Sequence, residues 1–417
     1  MFALTNEVRR YAWGSRTAMA EFLGDPPPSA EPEAELWIGA YPACPSRLAD
    51  GRSLLQLIDD DPAAALGAPV VARFGPRLPF LMKVLTIGAP LSLQAHPNTT
   101  QAEAGFAAEV AAGVPLDDPT RNYRDSRHKP EMLCALTPVE AFCGFRAVSE
   151  TITLLDELAV RGLDGLRDVL ARSGLENSLR WVFDLPDGAV GAAVSALGKS
   201  AGSVRAGSYV DALQWISRLA GEHPQDRGVI LSLLCDFIRL EQGQALVIPP
   251  GCLHAYLCGV GVEIMAESDN VLRGGLTAKH VDVDELQRVL DMSGSGPLVL
   301  PGETDAAGRT EFRTEIEEFA LSRHEITDTV VLDGARPRLI LTVDGSARLH
   351  AVDGSVLDLP RGQAAFLSAA DEGVSLSGPA VVFEATTGLR RPAKKEVAQL
   401  VARRHTTNSQ SSPRPGT

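Results

Sequence analysis

No apolar run in this 417-residue chain reaches the length of a membrane span, so no membrane partner is expected. The segment Met1 to Arg10 lacks the charged-then-apolar order of a signal peptide. The six cysteines, at 44, 134, 143, 235, 252 and 258, include no C-x-x-C pair. A chain of this size does not need disulfide staples, so a cytoplasmic protein with reduced thiols is the simplest reading. Positive charge is in deficit: 39 Lys and Arg against 53 Asp and Glu leave a formal charge of −14. That acidity argues against a nucleic-acid partner and means that any bound anion must be held by locally placed cations. A glycine-rich phosphate loop is also missing, because pairs such as Gly274-Gly275 are too sparse to argue nucleotide binding.

What the chain does contain is texture that changes along its length. At 417 residues it is long enough for two or three domains. Residues 1–148 read as short strands and turns, with helices near Ser53 to Asp59 and at Thr99 to Ala112, the latter capped by Asn98 or Thr99. From Ser149, Ile152, Leu155 and Leu158, then Leu163, Leu166 and Leu170, follow helical spacing, as do Val210, Leu213, Ile216 and Leu219. Residues 149–227 are therefore expected to form a helical insertion, with the stretch Gly198 to Ser208 as a connection and strands resuming from Val229. Residues 228–320 carry those strands. Residues 321–391 read as further short antiparallel strands, with Asp344-Gly345 and Asp353-Gly354 as hairpin turns. Such strands suit a jelly roll. His350 is read as structural or exposed there. Residues 392–417 form a tail, polar and disordered from about 402.

Three segments concentrate chemistry. In the first, Leu91 to Pro97, Ser92, Gln94 and His96 alternate with apolar residues and so share one face of a strand. An exposed polar face would explain the alternation, but the apolar surroundings argue for burial, and buried polar groups need partners. In the second, charged residues crowd from Asn122 to Pro130, and Glu131 then opens an apolar strand. Alone, Glu131 would be read as a strand-end carboxylate in solvent. In the third, a Pro-Gly turn at Pro250-Gly251 delivers His254, and the stretch to Lys279 adds Glu263, Asp269 and Arg273. Gln94, His96, Glu131 and His254 together supply two imidazoles, a carboxylate and an amide oxygen, a mixture that suits Zn²⁺ with a position left for water or substrate.

These segments carry a family resemblance. Tyr123 to Glu131, YRDSRHKPE, resembles the signature Y-x-D-x-N-H-K-P-E of type I mannose-6-phosphate isomerases, with Arg127 in place of Asn. His254 to Lys279 is similar to the family's second signature, with Gly274 for Ala and Ala278 for Pro. Leu91 to Pro97 and the early Tyr11 to Gly14 also match, in the family's order, over about Tyr11 to Thr387. Gly243 through His254 resembles the cupin pattern G-x5-P-x-G-x2-H.

The resemblance implies a mainly β protein of two cupin-type jelly-roll barrels plus an α-helical domain. Residues 1–148 and 228–320 would form a discontinuous catalytic cupin, and 321–391 a metal-free sister. It implies one Zn²⁺ per chain on Gln94, His96, Glu131 and His254, and an active-site arginine at Arg273. The implied reaction is the interconversion of D-mannose 6-phosphate and D-fructose 6-phosphate through a cis-enediol; a monomer is expected, with an oligomer left open. The metal would polarise the carbonyl, and Arg273 would add fixed positive charge; the competing role for Arg273 is an ion pair with Asp269.

Lys129, Asp269 and Glu263 are the candidates for the general base. A subset of Lys83, Ser92, Lys129 and Lys279 would hold the phosphate, with Arg127 altering its affinity. His128 would shuttle protons or bond a loop carbonyl, and Trp13 and Tyr256 would flank the sugar or sit in the core. Two other readings remain open at this point: a non-catalytic, metal-holding sugar-phosphate binder on the same fold, and another cupin enzyme such as an iron oxygenase.

Overall fold

The computed structural model describes residues 1–293, 296–332 and 334–389. The tail expected from 392 lies outside the described residues. Among those described, the chain is mainly β, with twenty-one strands in two sheets and eleven α-helices.

Each sheet is organised around one 13-residue strand that takes part in two layers. His254–Ala266 pairs through its first half with Leu93–Ala95 and Val139–Phe145, and through its second half with Phe80–Ile87 and Glu131–Ala135. Arg338–His350 does the same, pairing first with Ala364–Leu367 and Ala380–Thr386, then with Val356–Pro360 and Ser375–Ser377. The crossing needs a bend. A register shift between Tyr256 and Cys258, followed by Gly259 at φ 113°, supplies it in the first strand. A shift between Thr342 and Asp344, followed by Gly345 at φ 69°, supplies it in the second. A Cβ at either glycine would meet a carbonyl oxygen, of Pro138 at 2.5 Å or Pro379 at 2.2 Å. Asp344-Gly345 is therefore a bulge inside a continuous strand and not the hairpin turn its sequence suggested. Asp353-Gly354 is a turn, with Asp353 Oδ1 accepting the Ser355 N–H at 2.9 Å.

Alternation along the strands builds two layers of core. Phe80, Met82, Val84, Met132, Val262 and Ile264 from the first sheet pack against Leu321, Leu339, Leu341, Phe366 and Phe383 from the second. The intervening positions, including Leu85, Leu133 and Leu246, face the first barrel's interior. Lys83, Glu131 and Glu263 occupy this second set.

The boundaries differ from the sequence reading in three places. Phe2–Leu4 pairs with Ala364–Leu367, so the N-terminus belongs to the second sheet. Glu303–Thr304 and Arg309–Phe312 also belong to it, so the division drawn at 320 cuts through that sheet. Strands resume at Cys235 and not at Val229, which lies in the helix Arg227–Leu231.

The helices between are Val148–Leu158, Asp164–Phe183, Asp187–Ser203 and Val210–Glu222. Asp187–Ser203 runs through the stretch expected as a connection, because Val190, Val194, Leu197 and Ala201 form one buried stripe. The two early helices stand at Leu54–Asp60 and Thr99–Ala111, capped by Ser53 and Asn98, each with a glutamine completing a capping box. The short helices Ala18–Leu23, Pro62–Leu66 and Ala68–Phe74 were not anticipated. No helix of the described residues is long and apolar enough to cross a membrane.

Candidate active site

Strand register assembles the site. Gln94 lies opposite both His254 and Arg273, while Lys83 lies opposite both Glu263 and Trp37. Distant segments thus meet at one end of the first barrel.

At the centre, His96, Glu131 and His254 are all buried. Glu131 Oε1 lies 3.2 Å from His96 Nε2, and Oε2 lies 3.4 Å from His254 Nε2. The other ring nitrogens are tied to carbonyls: His96 Nδ1 to Asn270 O at 2.7 Å and His254 Nδ1 to Cys252 O at 3.0 Å. A carbonyl only accepts, so each Nδ1 carries the hydrogen and each Nε2 presents a lone pair. Neither Nε2 has a hydrogen-bond partner. Two buried lone pairs with no donor, aimed at one carboxylate, fit a divalent cation. The ligand atoms of the three residues lie within 4.8 Å of one another, and among the described residues no other such cluster exists. Gln94, beside His254 in the sheet, is placed to add its amide oxygen.

The charges around this cluster act on the two histidines in opposite directions: burial works against a charge on His254, but the Glu131 carboxylate outweighs it and raises the His254 pKa. Burial, with Lys129 close by, pushes the His96 imidazole down to about 4, keeping it neutral and ligand-competent. Burial opposes the charge on Glu131, yet Lys129 holds its carboxyl well below the usual range. Lys129 Nζ is 3.1 Å from Glu131 Oε1.

A cavity of about 570 Å³ opens over the cluster. Ser92, Gln94, Lys129, Glu131 and Tyr256 line it near the cluster, and Lys83 and Glu263 line an adjoining wall. Asp269, Arg273, Lys279 and Trp13 line it as well. His96 and His254 are not among its lining residues. His128 is placed elsewhere: its Nε2 lies 2.8 Å from Glu318 Oε1, and it is not among the residues that line the cavity. Arg127 is likewise absent from the lining; it donates to Glu267 O at 2.6 Å and pairs with Glu267 and Asp125.

Two groups of cations differ in how their charge is used. Lys83 Nζ sits 3.6 Å from both Glu35 and Glu263, with Nζ 4.8 Å from the Trp37 ring. Burial works against its charge, but the two carboxylates outweigh burial and raise its pKa. Burial and the Glu131 charge push Glu263 up to about 7. By contrast, Arg124, Arg273 and Lys279 share one carboxylate, Asp269, whose Oδ2 lies 3.7 Å from Arg124 Nε. No carboxylate of the described residues is within ion-pair distance of Arg273, so the pairing with Asp269 weighed from sequence is not made; Asp269 pairs with Arg124. Tyr256 points a buried hydroxyl without a hydrogen-bond partner at the same cavity wall.

Sequence reasoning missed Glu35, Trp37 and Arg124. Glu35 left a signal, a carboxylate inside the apolar run Ala34 to Ile38, and Arg124 lay within a quoted motif.

Comparison with known proteins places this architecture. Residues 1–148 match the family model of the phosphomannose isomerase type I catalytic domain. The chain is 36% identical over 390 residues to the mannose-6-phosphate isomerase of Escherichia coli K12, covering 91% of this chain and 97% of that one. It is 37% identical over 392 residues to that of Salmonella typhimurium LT2, with the same coverage. The structure of the Salmonella typhimurium enzyme bound to its substrate, fructose 6-phosphate, and zinc superposes with a TM-score of 0.85 at 34% identity, over 93% of this chain and 100% of that one.

Proposed function

This chain belongs to the type I mannose-6-phosphate isomerases, and we propose that it interconverts D-mannose 6-phosphate and D-fructose 6-phosphate with one zinc per chain. The observation that carries the reading is the pair of partnerless Nε2 atoms facing Glu131 beneath a cavity lined with cations. The relatives' names speak for catalysis and against a non-catalytic binder.

Isomerisation moves a proton between C2 and C1 through an enediol, so the site must hold the open-chain sugar, stabilise negative charge on its oxygens and move one proton. His96, Glu131, His254 and Gln94 would hold the metal, which when bound supplies Lewis-acid polarisation of those oxygens. Arg273, beside Gln94 in the sheet, adds a fixed positive charge with no carboxylate of the described residues within ion-pair distance. The phosphate goes to Arg124 and Lys279, with Arg273 behind them, where three cations share one carboxylate. Lys83 and Lys129, candidates for that role from sequence, already serve Glu35, Glu263 and Glu131.

Of the three candidate bases, Glu263 is assigned the proton transfer, because it lines the cavity and neither holds a metal ligand in place nor balances the phosphate-facing cations. Lys129 instead holds Glu131 in place, and Asp269 balances the arginines. Trp13 and Tyr256 close the sugar's sides, and the protein acts as a monomer in the cytoplasm.

The test is incubation of zinc-loaded protein with mannose 6-phosphate in deuterium oxide. The expected result is fructose 6-phosphate carrying solvent deuterium at C1. No fructose 6-phosphate at all would overturn the reading.

A further inference from the structure

Asn270 is fully buried, and no step above uses it. Its backbone carbonyl accepts the Nδ1–H of His96 at 2.7 Å. Its side-chain Oδ1 accepts the backbone N–H of Arg124 at 2.8 Å and of Asp125 at 3.2 Å. Its Nδ2 donates to the carbonyls of Asp125 at 2.8 Å and Arg127 at 2.9 Å. A primary amide has two acceptor lone pairs and two donors, and all four are used on one loop. That loop runs from the cavity-lining Arg124 to Lys129 and Glu131. The same residue therefore fixes the ring of one metal ligand through its backbone, and through its side chain the segment that carries a second ligand and a phosphate-facing cation. The two neighbouring positions reinforce the clamp. Asp269 N–H donates to Asp125 Oδ2 at 2.9 Å, and the Ser268 hydroxyl donates to Arg127 O at 3.2 Å.

We propose that Asn270 is the positioning residue that couples the metal end of the site to its phosphate end. It touches neither metal nor sugar; it sets the angle of the His96 ring and the height of the 124–131 loop together. The assignment rests on the isomerase reading for its phosphate end only, because the hold on His96 is independent of what the enzyme turns over.

The experiment is zinc affinity by chelator competition, together with KM and kcat, on Asn270→Ala, Asn270→Asp and a control, Ser53→Ala. Ser53 caps the helix Leu54–Asp60 and takes no part in the site, so its loss costs stability alone. Asn270→Ala keeps the backbone carbonyl that His96 bonds but frees the loop that carries Arg124 and Glu131, and is expected to weaken zinc binding by about tenfold or more and to raise KM with it. Asn270→Asp keeps the acceptors for Arg124 and Asp125 but sets a carboxylate oxygen against the Asp125 and Arg127 carbonyls, and is expected to weaken zinc binding at least as far as Ala. Should Asn270→Ala fail to fold, Asn270→Asp carries the test. Zinc affinity unchanged to within about twofold in either folded variant, with a melting point lowered as in Ser53→Ala, would make Asn270 merely structural and overturn the proposal. Zinc binding is read without sugar, so a wild-type protein that binds zinc and turns over nothing would count against the isomerase reading and not against the coupling.

Discussion

The two barrels of this chain are built alike, yet among the described residues only the first gathers three metal-competent side chains beneath a cavity. Each is threaded by a 13-residue strand that bends at a positive-φ glycine, and each buries histidine against glutamate. In the second barrel His324 Nε2 and Glu384 Oε2 lie 2.8 Å apart, one histidine to one carboxylate, and it is the far ring nitrogen, Nδ1, that lacks a hydrogen-bond partner. In the first, one glutamate faces two histidines at 3.2 and 3.4 Å, both ring nitrogens lack hydrogens to donate, and neither makes a hydrogen bond. A buried histidine–carboxylate contact is thus not in itself a site. What distinguishes the site is that three ligand atoms converge within 4.8 Å of one another beneath a cavity.

That contrast can be broken by experiment. The largest effect is expected from His254→Ala, which should lose zinc and turnover together, the latter by about a thousandfold or more, while His324→Ala keeps both. Metal analysis beside a coupled assay checks this; comparable zinc loss in the two variants would erase the distinction. Next, Arg273→Ala should retain zinc but lose turnover by about a hundredfold or more, because it removes charge stabilisation and not a ligand. A metal-loaded Arg273→Ala enzyme of near-normal rate would remove Arg273 from the chemistry. Third, Arg124→Ala is expected to raise KM for the sugar phosphate by about tenfold with kcat little changed, the pattern of lost uniform binding. An effect confined to kcat would assign Arg124 elsewhere.

The smallest effect concerns the second barrel and is one of stability. His324 holds the Glu384 carboxyl below its ordinary range although burial opposes its charge. A depressed folded-state pKa contributes stability above the unfolded value that is lost as pH falls through the folded one. Glu384→Gln should therefore cost about 1 kcal/mol near neutrality and flatten the acid side of the stability profile. Urea melts from pH 7 down to pH 3 would read this, and parallel profiles for variant and wild type would contradict it.

How much of this was legible in the sequence depended on range. Local patterns read well: the caps at Ser53 and Asn98, and the helical stripes of the insertion. Glu131 and His96 were visible as polar residues set where packing offers no reason for them. What could not be read was register. Phe2–Leu4 joins a strand more than 350 residues away, and His324 meets Glu384 only because two strands align so that Val382 sits opposite His324. Asp344-Gly345 misled because the same dipeptide serves a hairpin and a bulge, and only the partner strand decides. Lys83 was legible as a cation, but its two carboxylates, Glu35 and Glu263, come from neighbouring strands that only the register brings beside it.

The central claim is that the His96, Glu131 and His254 centre of the first barrel is a zinc site that drives aldose–ketose isomerisation. The measurement that tests it most directly is turnover of mannose 6-phosphate to fructose 6-phosphate by purified protein as isolated, after chelation and after zinc is restored. Activity that chelation abolishes and zinc returns is the result this account predicts. Turnover that survives complete removal of metal, or folded, zinc-loaded protein that produces no fructose 6-phosphate, would contradict it.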